Sequence, residues 1–159
     1  VPKGDRRANP ERVSRVDLDR AVLIVTGSTL EAELFDRPVA YAVREMVARA
    51  SGGDWGGGGG GGGVIVCSDI WYLNSEAARA RPTISVGPPD SNALAAYLAD
   101  RVDVVFAVDG EFSVQMDLER HDLVASLWGI DHHATTKAAT VFEKKYLAEF
   151  LSAARVARS

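Results

Sequence analysis

Six polar side chains stand just beyond apolar runs of this sequence: Ser28, Asp69, Ser91, Asn92, Asp131 and Thr135. At strand-to-helix turns such residues serve two ends. Hydroxyls, an amide and the open N–H groups of a helix's first turn can together hold a nucleotide phosphate or other small anion. Asp69 or Asp131 would then contact a hydroxyl or act as a base. The same residue types also cap helices by accepting from those N–H groups. Both readings stay open at this level. The remaining chemistry is sparse. No Ser–His–acid triad can be assigned from spacing. The lone Cys67 sits inside an apolar run and reads as a buried, inert thiol, and one cysteine allows neither an intrachain disulfide nor a cysteine-cluster metal site. Glu31 and Glu33, near Asp36, read as ion-pair partners of Arg37. The aromatic spots Trp71-Tyr72 and Trp128 read as core or interface.

The stretch Thr83–Leu98, TISVGPPDSNALAAYL, organises the chain: an apolar run, a turn, then a helical segment. Its turn is not the G-x-G-x-x-G of dinucleotide sites, and Pro88 and Pro89 remove two amide donors from it. Ala21–Thr26, Val64–Cys67 and Leu123–Trp128 are continuous apolar runs, the pattern of strands covered on both faces. Val104–Val108 is a further strand. Asp109-Gly110 signals a hairpin, and Phe112, Val114, Met116 and Leu118 alternate with polar residues. That period of two predicts an antiparallel strand with one wet face, at or near a sheet edge.

Between these runs, Val39, Val43, Met46, Val47 and Ala50 recur at helical spacing after Pro38. Leu30–Asp36 fits a turn of helix or a loop. Ser75 is placed to cap a short helix through Ala80. Ala138, Ala139, Phe142, Tyr146, Phe150 and Ala154 share one face of a last helix, with Thr135 or Thr136 as its cap and Asp131 at its positive end. Strands alternating with helices predict a three-layer α/β sandwich, Rossmann-like or flavodoxin-like, whose mostly parallel sheet gains one antiparallel strand. In such a sheet the six polar residues share the rim at the strands' C-terminal ends.

The 159 residues suit one α/β domain over 21–155, preceded by a polar arm at 1–20. Residues 51–63 hold eight consecutive glycines, which predict a mobile surface loop. A net charge of -4 with scattered Lys and Arg gives no nucleic-acid surface. There is no leader pattern and no apolar run long enough to span a membrane, so the expectation is a cytoplasmic location without a membrane partner. The chain begins at Val1, which fits a processed protein or a segment cut from a longer one.

Two resemblances bear on function. Asp131-His132-His133, with Pro89-Asp90-Ser91-Asn92-Ala93, resembles motifs of the DHH phosphoesterases, which use paired divalent metals. Asn92 stands where that family has a ligand Asp, and its preceding ligand His is absent. The second resemblance covers the C-terminal half. Gly87, Pro89 and Asn92, then Gly129, Thr135 or Thr136, and Ala138 or Ala139, resemble a module of archaeal S-layer-type surface proteins. That module runs a strand into Gly-Gly-Pro-x-x-Asn, and a later strand into Gly-x5-Thr-x-x-Ala. Pro88 replaces its second glycine. The resemblance implies an α/β fold, neighbouring turns and a structural or assembly role. The leading expectation is therefore a non-catalytic module that forms homo-oligomers or joins a larger assembly, with no cofactor and no metal. The alternatives are a nucleotide- or anion-binding Rossmann-like domain and, less so, a metal-dependent phosphoesterase.

Overall fold

The computed structural model describes residues 18–55, 63–117 and 123–158. Most of the predicted arm and most of the glycine tract lie outside these residues, as does Leu118. Six strands form one sheet: β1 (Val22–Thr26), β2 (Val64–Ser68), β3 (Thr83–Val86), β4 (Val104–Val108), β5 (Phe112–Met116) and β6 (Val124–Gly129). Their spatial order is β2-β1-β3-β6-β5-β4. The neighbours from β2 to β6 pair in parallel, and β5 pairs antiparallel with both β6 and β4. β5 alone therefore runs against the rest.

The apolar runs form the inner strands for the expected reason. Every residue of β1 and β3 is buried, because helices cover both faces there. On one face lie α1 (Arg37–Ala50), α5 (His132–Lys145) and α6 (Leu147–Arg158). Val43, Val47, Phe142 and Phe150 pack there against Ile24, Ile84, Val114 and Leu127. On the other face lie the shorter α2 (Asp69–Leu73), α3 (Glu76–Arg79) and α4 (Ala93–Leu98). There Tyr72, Leu94 and Leu98 meet Leu23, Val25 and Cys67 in a smaller cluster. The chain steps from β1 out to β2 and then back across to β3, changing faces as it reverses. This puts a topological switch between β1 and β3.

Four local readings need correction. The expected single C-terminal helix breaks at Tyr146, where φ is -128°, and the Tyr146 hydroxyl donates to the Val105 carbonyl at 3.0 Å. The cap of α5 is Asp131, whose carboxylate accepts from Ala134 N at 2.8 Å; neither threonine caps it. Directly after β2 stands a helix that the sequence did not predict, α2, capped by Ser68 and carrying Trp71 and Tyr72. The wet face of β5 is partly covered: Gln115 is buried and donates to the carbonyls of Leu98, Ala99 and Val102 at the end of α4. β4 is one of the two edge strands, β2 being the other, and Val104 and Val108 are exposed on it.

Leu30–Asp36 proves helical, with a π-helical turn at Ala32–Asp36 that runs into α1. At the end of α1, Ser51–Trp55 forms a turn. Trp55 folds back into the core, its ring N–H donating to the Arg20 carbonyl at 3.0 Å.

Candidate functional site

The parallel strands end on one rim, and the turns after β1, β2, β3 and β6 meet there. Gly87 N donates to the Leu127 carbonyl, so the turns at 87–92 and 129–135 are neighbours. The β3–α4 turn also crosses the end of β1. A Cβ on Gly27 would fall 1.7 Å from the Ser91 carbonyl oxygen, an approach only glycine allows.

Asn92 is the hub of this rim. Its Oδ1 accepts from Leu94 N and Ala95 N, and its Nδ2 donates to Val25 O, Ser85 Oγ and Val86 O. An aspartate here would keep the two acceptor bonds and set a negative charge against two carbonyl oxygens. Asn92 is thus the residue this position demands, with no lone pair turned to a metal. Asp69 is equally engaged. Its Oδ1 accepts from Ser28 Oγ at 2.5 Å and from Ile70 N at 2.8 Å, and its Oδ2 accepts from Ala93 N at 2.8 Å. The three amides that open α4 are therefore taken by Asp69 and Asn92. The protein's own carboxylate occupies the position in which an exogenous anion would sit.

On the β6 side, Thr135 is fully buried. Its hydroxyl accepts from Gly129 N and donates to the Asp131 carbonyl, both at 3.1 Å. The Asp131 side chain is exposed and engaged in its cap. His132 and His133 are exposed too. Their rings lie 4.2 Å apart, and His132 stacks on Phe35 at 5.1 Å. Among the described residues, no three His, Cys, Asp or Glu side chains converge as a metal site would need.

The rim holds one group that the sequence reading passed over. Asp36 closes the π-helical turn and is 5% exposed. Ser91 Oγ donates to its Oδ2 at 3.3 Å. The same oxygen lies 2.6 Å from where a Cβ on Gly87 would stand, and Gly87 has φ of 113°. Burial pushes the Asp36 carboxyl up to about 6. The Ser91 hydrogen bond pulls it down, Glu31 and Asp90 push it further up, and His132 pulls it down. Nearby, Glu33 pairs with Arg37 at 3.2 Å, as the spacing suggested. Cys67 is buried, and desolvation raises its thiol to about 11 against the pull of the Arg37 guanidinium.

Between these polar groups the rim also exposes large apolar side chains. Leu30, Leu34 and Phe35 after β1, Ile70 and Trp71 after β2, and Ile130 after β6 are all exposed. A cavity of about 380 Å³, lined almost wholly by apolar side chains, runs from Leu34 and Phe35 between α1 and α5 to Met46 and Ala139. The fold and site together define a doubly wound α/β sandwich whose capping side chains are internally bonded and whose rim also exposes large apolar side chains. Compared with known proteins, the sequence matches no family model and no curated sequence.

Proposed function

We propose that this chain is a non-catalytic α/β module that associates with further copies of itself through the rim at the C-terminal ends of its parallel strands. One observation carries the reading: the amides of Ala93, Leu94 and Ala95, where an anion would dock, are already bonded to Asp69 and Asn92. Among its exposed groups the rim offers a partner large apolar side chains, with Leu30 75%, Ile130 71% and Ile70 60% exposed. Large side chains grouped in this way favour a protein contact.

The open edge at β4 is the poorer surface for copies of this chain. Antiparallel self-pairing centred on Phe106 would set Asp103 against Asp109, a like-charge opposition that protects sheet edges.

Sedimentation equilibrium from micromolar to submillimolar chain concentration tests the reading. A concentration-dependent oligomer is expected, abolished by Leu30→Asp with Ile130→Asp at unchanged melting temperature. A chain that stays monomeric throughout refutes it. A thermal-shift series with nucleotides is expected to give no stabilisation, and a clear upward shift would restore the anion-binding alternative.

A further inference from the structure

Beneath the apolar side chains of the rim lies a carboxylate that caps no helix. Asp36 ends the π-helical turn, which runs without a break into α1, and its side chain bonds no amide of that helix. Among the described residues its carboxylate has one hydrogen-bond donor, the Ser91 hydroxyl at 3.3 Å. That single proton also faces the Pro88 carbonyl at 3.5 Å. Gly87 closes another side, since a Cβ there would stand 2.6 Å from Oδ2. About two or three donors are what hold a buried carboxylate firmly ionised, and Asp36 has a share of one.

Its charged neighbours add to the cost of ionisation. Glu31 faces it from the residues just before the π-helical turn, Asp90 from the β3–α4 turn and His132 from α5. Arg37, the next residue, is turned instead to Glu33 and Tyr41. Two carboxylates thus oppose the charge and one imidazole favours it. Burial above all, with these neighbours, holds the carboxyl at about 6.

The position matters because of what stands beside it. Leu34 and Phe35, in the same turn, are exposed on the rim, and Phe35 stacks on His132. A second copy seated on these side chains removes water from above Asp36. In a symmetric pair it also brings a second set of Glu31 and Asp90 charges to the patch. Both changes penalise the charged form more in the assembly than in the free chain.

We infer, resting on the association reading above, that self-association through the rim is coupled to protonation of Asp36, so that copies join in mildly acidic solution and separate in mildly alkaline solution. The sign follows from linkage. Assembled chains hold the Asp36 proton more tightly than free chains, so association takes up protons. The association constant is level below about pH 6, where the free chain is already protonated, and falls as pH rises above it. The fall can reach about tenfold per pH unit for each carboxyl.

Sedimentation equilibrium across a pH series at constant ionic strength is the test, with circular dichroism confirming the fold at each pH. Association is expected to be at least about tenfold weaker at about pH 8 than at about pH 5.5. Asp36→Asn, uncharged at both, should associate equally well at both. Ser91→Ala removes a donor that favours the charged form, so it should move the midpoint of the profile to higher pH. His132→Gln should move it the same way without erasing the profile. Association that ignores pH, a profile that survives Asp36→Asn, one that vanishes in His132→Gln, or a midpoint lowered by Ser91→Ala would each overturn the inference and leave the association reading standing. A chain that is monomeric at every pH overturns both.

Discussion

Asp36 shows how far a single side chain depends on distant sequence. Its carboxyl is buried because the Gly87–Ser91 turn closes over it, and nothing within Leu30–Asp36 announces that closure. Its folded pKa, about 6, exceeds the ordinary carboxylate value of 3.8. The folded state therefore holds the proton more tightly than the unfolded chain. This contribution to stability is greatest below pH 4, falls as pH rises from about 4 to 6, and is level above that. Asp36→Asn should flatten this slope and add about 1–2 kcal/mol at neutral pH, read from urea unfolding across that range. Asn92 is the opposite case. Its residue type before a helical stretch already marks a cap, so that half of its role was legible. Its three donor bonds to β1 and β3 were not, because they depend on strand order. Asn92→Ala should lose more than about 3 kcal/mol in the same measurement, since it removes a cap and strands buried acceptors.

The elements themselves were the most legible part of the chain. Continuous apolar runs such as Ala21–Thr26 and Leu123–Trp128 mark covered strands, and period two marks β5. The failures occurred where a long-range bond overrides a local pattern. Phe142, Tyr146 and Phe150 follow each other at perfect i, i+4 spacing, yet the helix breaks at Tyr146, whose hydroxyl reaches the edge strand β4. Gln115 belongs to a wet face by its alternation and is buried instead, because the end of α4 offers it three carbonyls. The start of α5 rests on one exposed side chain. Asp131→Ala should therefore cost about 1 kcal/mol, the usual weight of an N-cap, measurable as a lowered urea midpoint. Thr135→Ala should cost more, because it strands Gly129 N in a buried position.

At the scale of the molecule, the sequence carried the sandwich and the shared rim but not the order of the strands. Periodicity says which residues are covered and is silent on which strands are neighbours. It also could not reveal that the rim's polar side chains bond mainly to the backbone of the rim's own turns and strands, which makes capping the dominant use of Ser68, Asn92 and Asp131. Hydrogen exchange should follow the strand order. Amides of β1, β3 and β6, flanked on both sides and covered on both faces, should exchange slowest, and those of β4 fastest among the strands. Trp55 gives this architecture an optical signature. Its indole is dry and lies 5.7 Å from the Arg155 guanidinium, Trp128 is half-covered, and Trp71 is 44% exposed. The three fluorophores sit at three depths. Iodide quenching should therefore silence Trp71 first and leave a blue-shifted residual emission, whose loss reports when the turn after α1 lets go of the start of β1.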